Sequence, residues 1–137
     1  MFRVSQQLDF CYGHRLLNYE GKCKNLHGHN GRAVITLEGL DLDHRGMLVD
    51  FGDIKRVVRT WIDNQLDHCM ILHEADPLLP VFQQHQQPVF AIPYNPTAEN
   101  IARVIFEYTH QQGFPVVEVT MWETPNSFAT YSGPVKK

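Results

Sequence analysis

The stretch Cys23-Lys24-Asn25-Leu26-His27-Gly28-His29-Asn30-Gly31-Arg32-Ala33-Val34-Ile35-Thr36-Leu37-Glu38 joins a strand signal to a metal-ligand signal. From Arg32 to Glu38 apolar and polar residues alternate, with Ala33, Ile35 and Leu37 on one side, the pattern of a half-buried strand. Continued backward in phase, Gly31, His29 and His27 fall on that same face. Two imidazoles at i and i+2 can bind one ion from one side, and Gly28 lets the backbone come close to it. A lone His-Gly-His is more often a solvated loop. Here a third imidazole, His14, lies upstream in Phe10-Cys11-Tyr12-Gly13-His14-Arg15-Leu16. Three neutral ring nitrogens plus water form the open arrangement of a catalytic zinc site.

Upstream, Phe2, Val4, Leu8 and Phe10 keep a period of two, so two strands flank a loop from His14 to Cys23. Downstream, beyond a turn region from Gly39 to Gly46 and a short Met47-Leu48-Val49, the residues Ile54, Val57, Val58, Trp61 and Ile62 recur at helical spacing. They predict an amphipathic helix from Asp53 to Gln65, with acidic Asp50 or Asp53 near its positive end. An irregular segment then leads to a short strand, Val89 to Ile92. Thr97 is the expected N-cap of a second helix whose buried face is Ile101, Val104, Ile105 and Tyr108, and Gly113 ends it. Val116 to Thr124 reads as a strand with Val117, Val119 and Met121 on its apolar side, and Ser127 to Ser132 pairs back across Pro125-Asn126. The expected order is β-β-α-β-α-β-β, an α+β fold with an antiparallel sheet carrying two helices on one face. Such a sheet has open edges that small domains often hide by assembly.

A chain of 137 residues with 43% apolar content is expected to form one domain, residues 1–137. Its formal charge of -3 carries no basic excess, which argues against a nucleic-acid partner and leaves room for a small anionic ligand. No stretch approaches the roughly 18 apolar residues of a membrane span, and Met1-Phe2-Arg3-Val4 opens no signal-peptide core, so a cytoplasmic protein without a membrane partner is expected. Three cysteines are an odd number for a disulfide framework, and free thiols are expected instead.

Cys23 is the first group for chemistry beside the metal, since a thiol near a divalent cation ionises readily and serves as base or nucleophile. As a fourth ligand it would instead close the site into a structural zinc centre, although such centres usually draw on paired cysteines. As a small buried hydrophobe it fits poorly between Lys22 and Lys24, whereas Cys11 and Cys69 have apolar neighbours that suit inert packing. Asp67-His68 follows the first helix. There a carboxylate can orient an imidazole that relays protons, or the pair is a solvated helix end, and adjacent residues on a strand point apart. Glu123 continues the core-facing row of Val117, Val119 and Met121. Either it meets a cation or the N–H groups of a ligand such as a fused heterocycle, or the row ends at Met121 and Glu123 belongs to the turn before Pro125. Glu99 sits in a first helical turn, where a carboxylate favours the dipole without any function. Arg15, Lys22 and Lys24 suit a phosphate by charge and position, though exposed bases are more often merely solvated.

These spaced motifs resemble the 6-pyruvoyl-tetrahydropterin synthase and 6-carboxytetrahydropterin synthase family along nearly the whole chain. Phe10 to Leu16 is similar to the family's first-strand segment, Gly21 to Asn30 to its Gly-x-Cys-x3-His-Gly-His-Asn core, and Val49-Asp50-Phe51 to the entry of its first helix. Leu66-Asp67-His68, Pro96-Thr97-Ala98-Glu99-Asn100 and Glu123-Thr124 continue the series in family order. The resemblance implies the tunnelling fold, in which sheets of several subunits join into a barrel. It further implies a homo-oligomer, a hexamer built as a dimer of trimers, with active sites at subunit interfaces. By the same resemblance His14, His27 and His29 hold zinc, Cys23 is the catalytic base, and Asp67 and His68 complete the proton-transfer set. Glu123 anchors the pterin ring, with Thr97 among the substrate-binding residues.

The implied substrate is 7,8-dihydroneopterin triphosphate, whose side-chain hydroxyls zinc can bind and acidify without redox. In one branch triphosphate and acetaldehyde leave and 6-carboxy-5,6,7,8-tetrahydropterin results, an intermediate toward queuosine. In the other the three-carbon side chain is kept, leading to tetrahydrobiopterin. A short chain without long additional segments favours the carboxypterin branch, and Cys23 argues against relatives that carry Glu in its place and act by retro-aldol cleavage. A non-catalytic zinc- and pterin-binding module of the same fold is the non-enzyme alternative. The chain departs from the family pattern at Cys11-Tyr12-Gly13, where small residues are common, and at Gly31, where an aromatic is usual. The segment from Glu74 to Pro93 looks peculiar to this chain, and the glutamines of its Gln83-Gln84-His85-Gln86-Gln87 cluster read as a solvated loop.

Overall fold

Alternation carries the two N-terminal strands further than their apolar residues alone, because the imidazoles stay in phase. In the computed structural model, which describes residues 1–135, β1 (Phe2–His14) and β2 (His27–Gly39) form one antiparallel ladder. It runs from Phe2 opposite Gly39 to His14 opposite His27. Along β1 the side chains of Leu8, Phe10, Tyr12 and His14 are buried while Gln7, Asp9 and Cys11 are exposed. Cys11 therefore does not pack inertly as expected, whereas Cys69 is buried, which pushes its thiol up to about 11.

The helical periodicity after β2 becomes one continuous helical run, α1: Phe51–Ile54, a π-helical turn at Lys55–Arg59, then Thr60–Gln65. Of the two acidic residues expected at its start, Asp50 is the cap, accepting a hydrogen bond from the Gly52 N–H at 2.8 Å. Then follow β3 (Cys69–His73), α2 (Leu79–Gln84), β4 (Val89–Ile92), α3 (Ala98–Gln111), β5 (Val116–Thr124) and β6 (Ser127–Tyr131). Thr97 caps α3 through the Asn100 N–H, and Gly113 at φ 88° allows the chain to leave it. α1 and α3 lie on the same face of the sheet and share one core with it. Ile35, Leu37, Ile62, Ile101, Ile105 and Met121 are fully buried there, each stabilising the fold by about 1.5–3 kcal/mol. Trp61 of α1 stacks on Tyr108 of α3 with ring centroids 4.3 Å apart.

The strand order is β4-β3-β1-β2-β5-β6, and the expectation of a purely antiparallel sheet fails at one end. β3 runs parallel to β1, with Tyr12 opposite Cys69, and β4 runs parallel to β3, so the sheet is mixed. Parallel neighbours need crossovers, and the segment from Glu74 to Pro93 is one: it holds the expected strand β4 and also α2, whose last turn takes in Gln83 and Gln84 where a solvated loop was expected. The apolar row of β5 also differs. A register shift opposite Thr36 and Leu37 turns Val116, rather than Val117, inward with Val119 and Met121.

The loop between β1 and β2 is tied down by Arg15, whose guanidinium donates to both carboxylate oxygens of the buried Asp76. That bond holds the Asp76 carboxyl below the usual carboxylate range, and it occupies the charge that the sequence offered to a phosphate. Asp76→Ala should lower stability by about 2–3 kcal/mol in chemical denaturation, the scale of lost hydrogen bonds to a charged group.

Candidate active site

Because His14 stands opposite His27 at the end of the β1–β2 ladder, and His29 follows two residues along the same face, strand pairing alone converges three imidazoles. Their ring centroids lie 4.5–5.1 Å apart, and one ligand atom from each falls within 4.8 Å of the others. Two rings are oriented by backbone carbonyls. His14 Nδ1–H donates to the Pro96 carbonyl at 2.6 Å and His27 Nδ1–H to the Asn25 carbonyl at 2.7 Å, so each presents a bare Nε2 to the cluster. Burial pushes the His14 imidazole down to about 4, against the lift from the Pro96 carbonyl, and His27 and His29 add to the fall.

Buried polar atoms rarely go without partners, yet His14 Nε2 and His29 Nε2 have none among the described residues. A divalent cation would satisfy both, and a set of three imidazole nitrogens suits zinc with one position left open. Cys23 lies outside the cluster, on a 3-10 turn at Lys22–Lys24 whose backbone is fastened by the Leu16 N–H donating to the Cys23 carbonyl at 2.9 Å. The donor set is thus an open one.

Glu123 does continue the core-facing row: its carboxylate oxygen stands 3.9 Å from His14 Nε2. Asp67 and His68 also meet, although neighbours in sequence. His68 adopts φ 55° just before β3, and its Nδ1 lies 2.8 Å from Asp67 Oδ2. The Cys11 N–H donates to Asp67 Oδ1 at 2.9 Å, and the His68 N–H donates to the Cys11 carbonyl at 2.7 Å. Burial pushes the Asp67 carboxyl up, but the Cys11 N–H and the His68 ring together outweigh it and hold the carboxyl below its usual range. Among the described residues neither Asp67 nor His68 makes a hydrogen bond to the imidazole cluster. Asp67 faces an open groove of about 720 Å³ with Cys11, Asn30, Arg32 and Trp122, on the outward side of the sheet. The Thr97 hydroxyl is spent on capping α3, and it is the preceding Pro96 carbonyl that touches the site. Sequence reading missed Pro96 and Asn25 because they act through backbone oxygen, which no side-chain pattern reveals.

The sequence pattern of the family described as 6-pyruvoyl tetrahydropterin synthase matches residues 3–134. The chain belongs to the 6-pyruvoyl tetrahydropterin synthase family. A 6-carboxy-5,6,7,8-tetrahydropterin synthase of Rickettsia bellii is 36% identical over 135 residues, 93% of this chain and 98% of the relative. The protein so named in Haemophilus influenzae is 34% identical over 140 residues, 96% of this chain and 99% of the relative. Among solved structures, an uncharacterized protein of Wolinella succinogenes superposes with a TM-score of 0.79 at 26% identity, covering 97% of this chain and 98% of that one. The 6-pyruvoyl tetrahydropterin synthase of Caenorhabditis elegans gives 0.74 at 25% identity, covering 97% and 96%. The fold is the tunnelling fold.

In this member of the 6-pyruvoyl tetrahydropterin synthase family Tyr12 and Gly31 fit one another. A Cβ on Gly31 would lie 2.5 Å from Met121 Cε and 2.9 Å from Tyr12 Cε1, so the Tyr12 ring occupies the space over Gly31. In the metal-free protein His14 makes stability depend on pH. The unfolded chain takes up a proton near pH 6.5 while native His14 resists until about pH 4, so stability is lost as pH falls through that interval. The loss should approach about 3 kcal/mol, and His14→Gln should flatten it, measured by urea denaturation between those limits.

Proposed function

We propose that this chain is a 6-carboxy-5,6,7,8-tetrahydropterin synthase, converting 7,8-dihydroneopterin triphosphate with release of acetaldehyde and triphosphate on the route to queuosine. The observation that carries this is the naming of the Rickettsia bellii and Haemophilus influenzae relatives, 36% and 34% identical over nearly their whole length. The cluster of His14, His27 and His29 supports zinc as the resident ion. Zinc bound there supplies Lewis acidity toward the side-chain hydroxyls of the substrate without redox.

The remaining work falls to side chains. Cys23 acts as the base that removes a carbon-bound proton. His68, with Nδ1 directed at the Asp67 carboxylate, carries protons to and from the side-chain oxygens through Nε2. Glu123 accepts hydrogen bonds from the pterin N–H groups, and the Thr97 region closes the site beside His14. We place these sites in a homo-hexamer, a dimer of trimers, with the Asp67-His68 pair of one subunit serving the imidazoles of another. The separation of the two groups within one chain and the open sheet edges at β4 and β6 support that assembly. The three cysteines are all free, as suits the reducing cytosol in which we place the protein.

Zinc-loaded protein incubated with 7,8-dihydroneopterin triphosphate should yield carboxytetrahydropterin and trapped acetaldehyde by mass spectrometry. A product that keeps three side-chain carbons would move the assignment to the pyruvoyl branch, and no conversion with zinc retained would favour a binding module. Cys23→Ala should abolish turnover while stoichiometric metal remains, and loss of the metal would make Cys23 a ligand.

A further inference from the structure

Among the described residues three buried side-chain polar atoms lack a hydrogen-bond partner: His14 Nε2, His29 Nε2 and the Tyr12 hydroxyl. A cation at the imidazole cluster accounts for the first two. The third is left over, on a side chain only 3% exposed whose ring lies 5.2 Å from that of His14 and 5.7 Å from that of His29. Phe in its place would keep the same packing against Phe10 and Met121 without burying an idle hydroxyl, so a phenol here calls for a partner that arrives later.

The direction of the ring points to that partner. Gly31 has no side chain, and the Tyr12 ring edge passes over it from β1 across β2 toward β5. On β5, Trp122 is opposite Arg32, which puts Glu123 beside Gly31 on the same inward face. The Glu123 charge acts on the phenol, and its carboxylate is 3.9 Å from His14 Nε2. Glu123 is 26% exposed and makes no hydrogen bond among the described residues, so water solvates it and it remains free to turn. A ligand that covers the site removes that water, and the carboxylate must then find donors within the protein or the ligand.

We infer that Tyr12 is a positioning residue: its hydroxyl donates a hydrogen bond to the Glu123 carboxylate when a ligand fills the site, orienting that carboxylate toward the ring N–H groups of the ligand. This rests on the reading of Glu123 as the ring anchor. Glycine at position 31 is what allows it, since any side chain there would displace the Tyr12 ring.

The test is a double-mutant cycle on the zinc-loaded protein with Tyr12→Phe, Glu123→Gln and both together, using 7,8-dihydroneopterin as the probe in calorimetry. Urea denaturation of the ligand-free protein and metal content are read alongside. Tyr12→Phe should leave metal content unchanged, leave ligand-free stability unchanged or raised, and weaken probe binding by about tenfold, the scale of one hydrogen bond to a charged group. The double variant should bind no more weakly than Glu123→Gln alone, because both remove one interaction. Wild-type affinity in Tyr12→Phe with weakened binding in Glu123→Gln would overturn the Tyr12 role and leave Glu123 as anchor. Unchanged affinity in Glu123→Gln would remove the anchor and the inference with it. Additive losses would mean that the hydroxyl meets the ligand directly. Lost metal, or a destabilised ligand-free Tyr12→Phe, would assign it to the metal site or to the core, and each of these outcomes overturns the proposal.

Discussion

The pairing of His14 with His27 at the end of the β1–β2 ladder is the constraint on which the site depends. Both strands have 13 residues, and burial of Leu8, Phe10, Ala33, Ile35 and Leu37 fixes their register over most of that length. A slip of one residue would turn those side chains to solvent and carry the imidazoles with them. The apolar half of the ladder therefore secures the geometry of the polar half. No separate device is needed to bring His14, His27 and His29 together, beyond the carbonyls of Pro96 and Asn25 that set two of the rings.

Imidazole nitrogens gathered against the core of an α+β domain are costly unless they are partnered. His14 is almost wholly buried and stays neutral because burial opposes its charge, so it cannot relieve the cost by taking up a proton at ordinary pH. The same neutrality makes it ready to ligate, since a cation need not displace a proton from it. Stability and metal affinity are thus coupled through one side chain: whatever fills the cluster also removes the penalty of leaving it bare.

Much of this was legible in the sequence, and the exceptions share a physical cause. β1, β2, α1 and α3 follow from periodicities confined to single segments, and the imidazole face follows from extending one period backward from Ala33. The parallel pairing of β3 and β4 does not, because their partner is chosen by the crossover path and not by their own residues. The inward turn of Val116 depends on a register shift against β2, which a strict period of two cannot express. Contact between Asp67 and His68 requires a left-handed residue, and nothing about His in that position announces it. Arg15 looks like a free cation until Asp76, 61 residues away, is seen beneath it.

The alternation that gathers the imidazoles also divides the functional groups. On β1, Tyr12 and His14 face the helices, while Cys11 faces outward and its backbone carries the Asp67-His68 pair. Successive residues of a strand cannot bring their side chains to one point, so a carboxylate and imidazole hung from Cys11 are held off the face that presents His14. A flexible connection could cross that barrier, but Asp67 and His68 are each bonded to the β1 backbone and are not free to swing. In the assembly proposed above a second copy supplies from its own outward side what one sheet separates, and edge strands as short as β4 and β6 leave room for sheets to join. The rigidity that fixes each group is thus the reason a single chain keeps the imidazoles and the Asp67-His68 pair apart.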